Sequence, residues 1–153
     1  WVKLKDKETG SAFFAMPIHL APESGSVRPN GCRMLVERRE ELSGGLPVIM
    51  GGDYNFGLTE NSYTILTEGG YVDSRFVAEN TTYDGSFQNF GNVEGGKALF
   101  CDYIFTTEGI QVESFAVVDD ITSDGAHASD HNPVTAVIYI VGNCETHRVR
   151  SQS

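Results

Sequence analysis

With 153 residues, 40% of them apolar and 21% charged, the chain has the size and make-up of one globular domain able to bury a core. Eleven Lys and Arg face 21 Asp and Glu, and the net charge of −10 disfavours non-specific nucleic-acid binding without excluding a metal-assisted nuclease. No run approaches the roughly 18 uninterrupted apolar residues of a transmembrane helix, so no membrane span is expected, and the alternating start 1–7 is neither a signal nor a transit peptide. No Met opens the chain, which leads us to expect a processed product or a piece of a longer protein. Cys32, Cys101 and Cys144 are odd in number and widely spaced, which excludes a disulfide framework and a paired C-x-x-C zinc pattern and leaves room for one bridge.

In chain order, Val2 and Leu4 alternate with lysines, residues 6–10 supply a turn and residues 12–19 are strongly apolar, which predicts a β-hairpin. Pro17 marks the second strand as an edge strand or one about to end. Residues 21–31, rich in Pro, Gly and Ser, read as a loop; residues 33–42 read as a helix stopped by Ser43-Gly44-Gly45. Residues 47–50 form a short strand ending at Gly51-Gly52. Thr59 is expected to cap a helix running through 63–66, ended by Gly69-Gly70. Residues 75–94 read as a long polar loop. Strands follow at 98–105, 111–118 and 133–141, with a polar loop at 119–132 and a polar tail at 142–153. The fold class is therefore mixed α and β (α/β, or α+β).

The chemistry is expected where polar residues interrupt or end apolar strands, because a rigid scaffold with an open tip holds reactive groups well. Four places qualify: His19, Asp53 with Asn55, Asp102, and Asp130-His131. Asp102 lies between Phe100 and Ile104, so it either faces solvent on an edge strand or is buried with a partner, for which a histidine is suited. The Gly51-Gly52-Asp53-Tyr54-Asn55 run and the Ser129–Pro133 run each also read as simple turns. Cys101, inside an apolar run, reads as a small buried hydrophobe. His127 and His147 have no apolar frame and receive no role.

In order, the chain gives His19-Leu20, Gly52-Asp53-Tyr54-Asn55, Asp102-Tyr103-Ile104-Phe105 and Ser129-Asp130-His131. This series resembles the endonuclease/exonuclease/phosphatase superfamily, with its His-Leu strand end, G-D-x-N box, D-Y strand and terminal S-D-H. Residues 47–53, Gly70-Tyr71-Val72-Asp73 and Thr81–Gly85 are similar to lesser features of that family. The resemblance implies part of a four-layered α/β/β/α sandwich with mixed β-sheets, residues 1–141 being its C-terminal part and the first, N-terminal half of the family domain missing.

It further implies divalent-metal-dependent phosphoester hydrolysis with Mg²⁺ or Mn²⁺. In the implied roles, His131, oriented by Asp102, contacts the phosphate or serves as general base. Asp53 positions the attacking water, Asn55 holds phosphate or nucleophile, His19 donates to a phosphate oxygen, and Asp130 helps hold the metal. Activated water, charge neutralisation and a stabilised leaving oxygen are what such a reaction requires.

The chain departs from the family in lacking the first half's Asn and metal-binding Glu; Glu8, in the hairpin turn, has no matching context. The alternative is thus a catalytically incomplete, phosphate-binding half-domain, completed by the absent half or by dimerisation. Between Gly51 and His131 stand two basic residues, Arg75 and Lys97, against 14 acidic ones, so a small phosphoester is a better expectation than a nucleic-acid duplex. Tyr54, Tyr83, Phe87 and Phe90 are available for stacking on a base or for the core.

Overall fold

The computed structural model describes residues 1–23, 25–82, 84–93, 99–118 and 121–141. Lys97, Tyr83, Cys144, His147 and the 142–153 tail singled out in the sequence lie outside the described residues. The hairpin forms as expected: β1 (Val2–Lys5) pairs antiparallel with β2 (Ala12–His19), and the carboxylate of Asp6 closes the turn by accepting the N–H groups of Glu8 and Thr9. β2 is not an edge strand, since β3 (Val48–Asp53) lies parallel along its other side. Pro17 is tolerated because β1 pairs only as far as Ala15, so no neighbour on that side asks for its missing N–H.

Between β2 and β3 runs helix α1 (Val27–Ser43), which starts six residues earlier than its composition suggests. Pro29 occupies the first turn, where an N–H has no intrahelical partner and its fixed φ suits the helix. Its stop is as expected, with Gly44 in the left-handed conformation and its N–H bonded to the Glu40 carbonyl. α2 (Asn61–Glu68) is entered through Glu60 rather than Thr59, and the Glu60 carboxylate accepts the N–H of Gly57 and a 2.7 Å bond from buried Arg28.

β3 does not stop at its glycines. It continues to Asp53 because β2 on one side and β6 (Asp102–Thr106) on the other both pair with Gly51 and Gly52. Strand β6 is shorter than expected; of its anticipated start, Leu99 makes only an isolated bridge to Phe87. β4 (Val72–Asp73) follows α2, and the long loop expected at 75–94 holds most of the short α3 (Ser74–Val77), β5 (Asn80–Thr82) and a 3₁₀ turn at Asn89–Gly91. β7 (Ile110–Val117) and β8 (Val134–Ile140) complete the chain.

These strands form two mixed sheets, one ordered β1-β2-β3-β6-β4 and the other β5-β7-β8. The fold is mixed α/β, with α1 and α2 packing Cys32, Leu35 and Leu66 against Phe14, Val48, Met50, Tyr103 and Phe105 of the first sheet. Tyr54, also fully buried, belongs to this core and is not a stacking platform. Behind β6, Arg75 pairs with Asp73 at 2.5 Å, both side chains almost wholly buried, and its guanidinium lies 3.5 Å from the ring centroid of Phe100.

Gly52 is the tightest point in the first sheet. Its φ of 143° favours glycine, and a Cβ there would stand 2.0 Å from the carbonyl oxygen of Ile18. Gly52→Ala is therefore expected to cost on the order of 4 kcal/mol, read as a large drop in the denaturant midpoint. An unchanged midpoint would show that the β2–β3 pairing is looser than described.

Candidate active site

Strand register assembles the site. His19 at the end of β2 is paired with Asp53 at the end of β3, and Asp53 is paired with Asp102 at the start of β6. Three strands thus present His, Asp and Asp in one row across the sheet. His19 Nε2 lies 3.5 Å from Asp53 Oδ2, with His19 largely exposed and Asp53 mostly buried.

Asn55 fixes Asp53. Its φ of 54° places it in the left-handed region that asparagine tolerates, so that its backbone N–H reaches Asp53 Oδ1 at 2.8 Å. Its side-chain amide donates to Asp53 Oδ2 at 3.0 Å and to the Leu20 carbonyl at 2.9 Å. In this geometry Asn55 steadies the carboxylate beside it.

Asp102 is buried, not turned to water, and its partner is His131, whose Nδ1 lies 2.7 Å from Asp102 Oδ2. β4 covers β6 only at Phe105 and Thr106, so it is the burial of Asp102 that excludes a side chain pointing at water. The far nitrogen of His131, Nε2, stands 3.9 Å from Asp53 Oδ2. His131 comes from the loop entering β8, so the Asp102–His131 bond ties the first sheet to the second. Desolvation pushes the His131 pKa down, but the Asp102 hydrogen bond and the charges of Asp102, Asp53 and Asp130 outweigh it and hold it above 6.5.

The loop bearing Ser129-Asp130-His131 is held by a strap that sequence reading missed. Phe87 bridges Leu99 on one side and His131 on the other. The backbone N–H groups of Gln88 and Asn89 both donate to the Asp130 carbonyl, and the Gln88 side chain donates to the Ser129 carbonyl at 2.7 Å. Ser86 Oγ, fully buried, accepts the backbone N–H groups of Cys101 and Asp102 at 3.2 and 3.1 Å. The only sequence signal was a polar, Gly-dotted run with aromatics, which does not reveal long-range bridges.

Beside the row lies a cavity of about 560 Å³ whose lining includes Asn55, Glu60, Phe87, Phe100, Cys101 and His131. Phe87 faces it and sits 5.0 Å from the His131 ring, whereas Phe90 is exposed away from the core. Cys101 is half-buried and not a simple core residue: its Sγ is 3.5 Å from Asp102 Oδ2.

Asp53 and Asp130 offer carboxylate oxygens, and both charges act on His131. Carboxylate oxygens are the donors that a hard ion such as Mg²⁺ or Mn²⁺ takes, together with water and phosphate oxygens. Among the described residues, the recorded ion pairs of Asp53 and Asp102 are with histidines, which leaves negative charge for a cation to neutralise.

Comparison with known proteins bears on the family and the fold. The Endonuclease/Exonuclease/phosphatase family profile matches residues 7–131. No curated protein sequence matches the chain. A conserved protein of unknown function from Enterococcus faecalis V583 is similar in structure with a TM-score of 0.77 and 28% identity, over 90% of this chain and 54% of its own. A mannosyl-6-phosphatase from Bacteroides thetaiotaomicron VPI-5482 is similar with a TM-score of 0.76 and 26% identity, over 88% of this chain and 54% of its own. TDP2 from D. rerio, complexed with single-strand DNA product, shares the fold at 19% identity and a TM-score of 0.65, over 86% and 58% of the two chains. The chain thus spans about half the length of the solved structures it matches. With the profile matching residues 7–131 and the fold in agreement, the chain belongs to the endonuclease/exonuclease/phosphatase family.

Proposed function

We propose that this chain carries the His19–Asp53–Asn55–Asp102–Asp130–His131 part of a divalent-metal-dependent phosphoesterase site, which hydrolyses a phosphoester by an activated water. The observation that carries the reading is the register row of His19, Asp53 and Asp102, closed by His131 on Asp102.

Asp102 accepts the Nδ1 proton of neutral His131 and leaves Nε2 directed at Asp53. A water hydrogen-bonded to both Nε2 and Asp53 Oδ2 across their 3.9 Å separation has a base on either side, and loses a proton as it attacks phosphorus. Asn55 keeps Asp53 from turning away. The exposed His19 ring donates to a phosphate oxygen, where developing charge needs a hydrogen bond. Asp130, with Asp53, would hold Mg²⁺ or Mn²⁺, which supplies charge neutralisation at the phosphate.

A small phosphomonoester or phosphodiester suits the site better than a nucleic-acid duplex. Of the two basic residues between Gly51 and His131, Arg75 is buried against Asp73, and the adjoining cavity is lined by aromatic side chains and Glu60. One structural neighbour is named a mannosyl-6-phosphatase, which is in line with this preference.

A second reading is favoured by length. Because the chain spans about half of its solved neighbours, its site is incomplete alone, and a further segment or a second copy adds the remaining metal ligand. β8 lies at a sheet edge with Val137 and Tyr139 exposed, a surface such an addition would cover.

Bis(p-nitrophenyl) phosphate tests the two readings. Under the first, turnover requires Mg²⁺ or Mn²⁺, stops with chelator, and falls by about 10²–10⁴ in His131→Ala and in Asp53→Ala. Wild-type rates in either variant would refute the site. Turnover that emerges only on adding the complementary half would establish the second reading.

The raised His131 pKa gives a separate prediction. Its extra stability is fully present below the unfolded value near 6.5 and is lost as pH rises through the higher folded value. Ring-proton NMR titration of the metal-free chain should place His131 above 6.5, and Asp102→Asn should lower it. An unmoved titration midpoint in the variant would mean that Asp102 does not act on His131.

A further inference from the structure

Cys101 stands where neither the sequence pattern nor the hydrolytic mechanism needs a thiol. Its Sγ lies 3.5 Å from Asp102 Oδ2, and Asp102 Oδ2 lies 2.7 Å from His131 Nδ1. One donor atom from each of the three residues falls within 4.8 Å of the others. We propose that Cys101, Asp102 and His131 form a binding site for a thiophilic divalent cation of the Zn²⁺ type, overlapping the catalytic pair and distinct in chemistry from the oxygen-donor site.

One donor–donor distance already suits that cation, and a second lies close to what it needs. Zn²⁺ bonds of about 2.3 Å to sulfur and 2.0–2.1 Å to nitrogen and oxygen set tetrahedral edges of roughly 3.3–3.6 Å. The sulfur–oxygen edge is already in that range, and the nitrogen–oxygen edge reaches it by opening about half an ångström. Ser86 Oγ supports the first two ligands by accepting the backbone N–H groups of Cys101 and Asp102, which holds them in place before any ion arrives. Cys101 and His131 both line the cavity, so an ion has an entry path and a water for its fourth position.

Donor softness separates the two cations. Mg²⁺ seeks oxygen and gains nothing from a thiolate, whereas Zn²⁺ prefers sulfur and imidazole. On binding, the S–H bond of Cys101 breaks, an S–metal bond forms and one proton leaves to solvent. Burial and the neighbouring carboxylate charges push the Cys101 pKa up, so the free thiol is protonated and the ion must displace that proton. With Nδ1 on the metal, the proton of neutral His131 passes through solvent to Nε2. A protonated Nε2 cannot accept a proton from water, and Asp102 no longer orients the ring. The soft cation therefore inhibits where the hard one activates; this consequence rests on the phosphoesterase reading, and the binding itself does not.

The test uses the full chain, stripped of metal and titrated with Co²⁺ as a spectroscopic probe. A sulfur-to-cobalt charge-transfer band should appear, persist in Cys144→Ser, and vanish in Cys101→Ser and Cys101→Ala preparations whose circular dichroism matches wild type. Zn²⁺ should abolish the band at one equivalent, and excess Mg²⁺ should leave it. Asp102→Asn should weaken Zn²⁺ binding about tenfold or more. A missing band in wild type, a band that survives in folded Cys101 variants, or one lost in Cys144→Ser would overturn the proposal. These readouts need no turnover, so a failure of the phosphoesterase reading leaves them interpretable.

Discussion

Everything at this site depends on strand register. His19, Asp53 and Asp102 become neighbours because β2, β3 and β6 end or begin at the same level, with adjacent strands about 4.8 Å apart. A slip of one residue in either pairing would turn the affected side chain to the opposite face and dissolve the row. Gly51 and Gly52 let β3 pass between its two partners, and Asp73 and Arg75 brace β6 from behind through Phe100 and Tyr103. Breaking that buried pair by removing one partner would cost about 3–5 kcal/mol. The second sheet joins the site at His131, which stands at the entry to β8 and bonds to Asp102 on β6.

How much of this was legible beforehand varied with the range of the interaction. The hairpin, the Gly44 stop of α1 and the three late strands were readable, because alternation and glycine act over a few residues. The starts of α1 and β6, and the end of β3, were misjudged where tertiary partners overrode local preference. Pro29 looked like a loop signal and is a first-turn residue; Gly51-Gly52 looked like an end and is an interior passage. The residues brought together at the site stood out as polar breaks in apolar runs. Their support did not, because Ser86, Phe87 and Gln88 act through backbone bonds to segments far along the chain.

The acidic balance of the chain acquires a local meaning at the site. The charges of Asp53, Asp102 and Asp130 all act on one imidazole, which stays more basic than usual. Burial, with the charges of Asp102 and Asp53, leaves Cys101 a protonated thiol beside the Asp102–His131 pair. Under the two proposals, one small region would distinguish oxygen-seeking from sulfur-seeking cations by the side chains each engages.

The most direct test of the central claim is phosphate binding watched at both histidines. Ring-proton NMR of the chain titrated with inorganic phosphate, with and without Mg²⁺, reports on His19 and His131 separately and requires no turnover. The account predicts that both resonances shift together, with the same apparent affinity, and more strongly when Mg²⁺ is present. Resonances that stay in place, or a shift of His19 alone, would contradict a phosphate site shared by the strand-end row and His131.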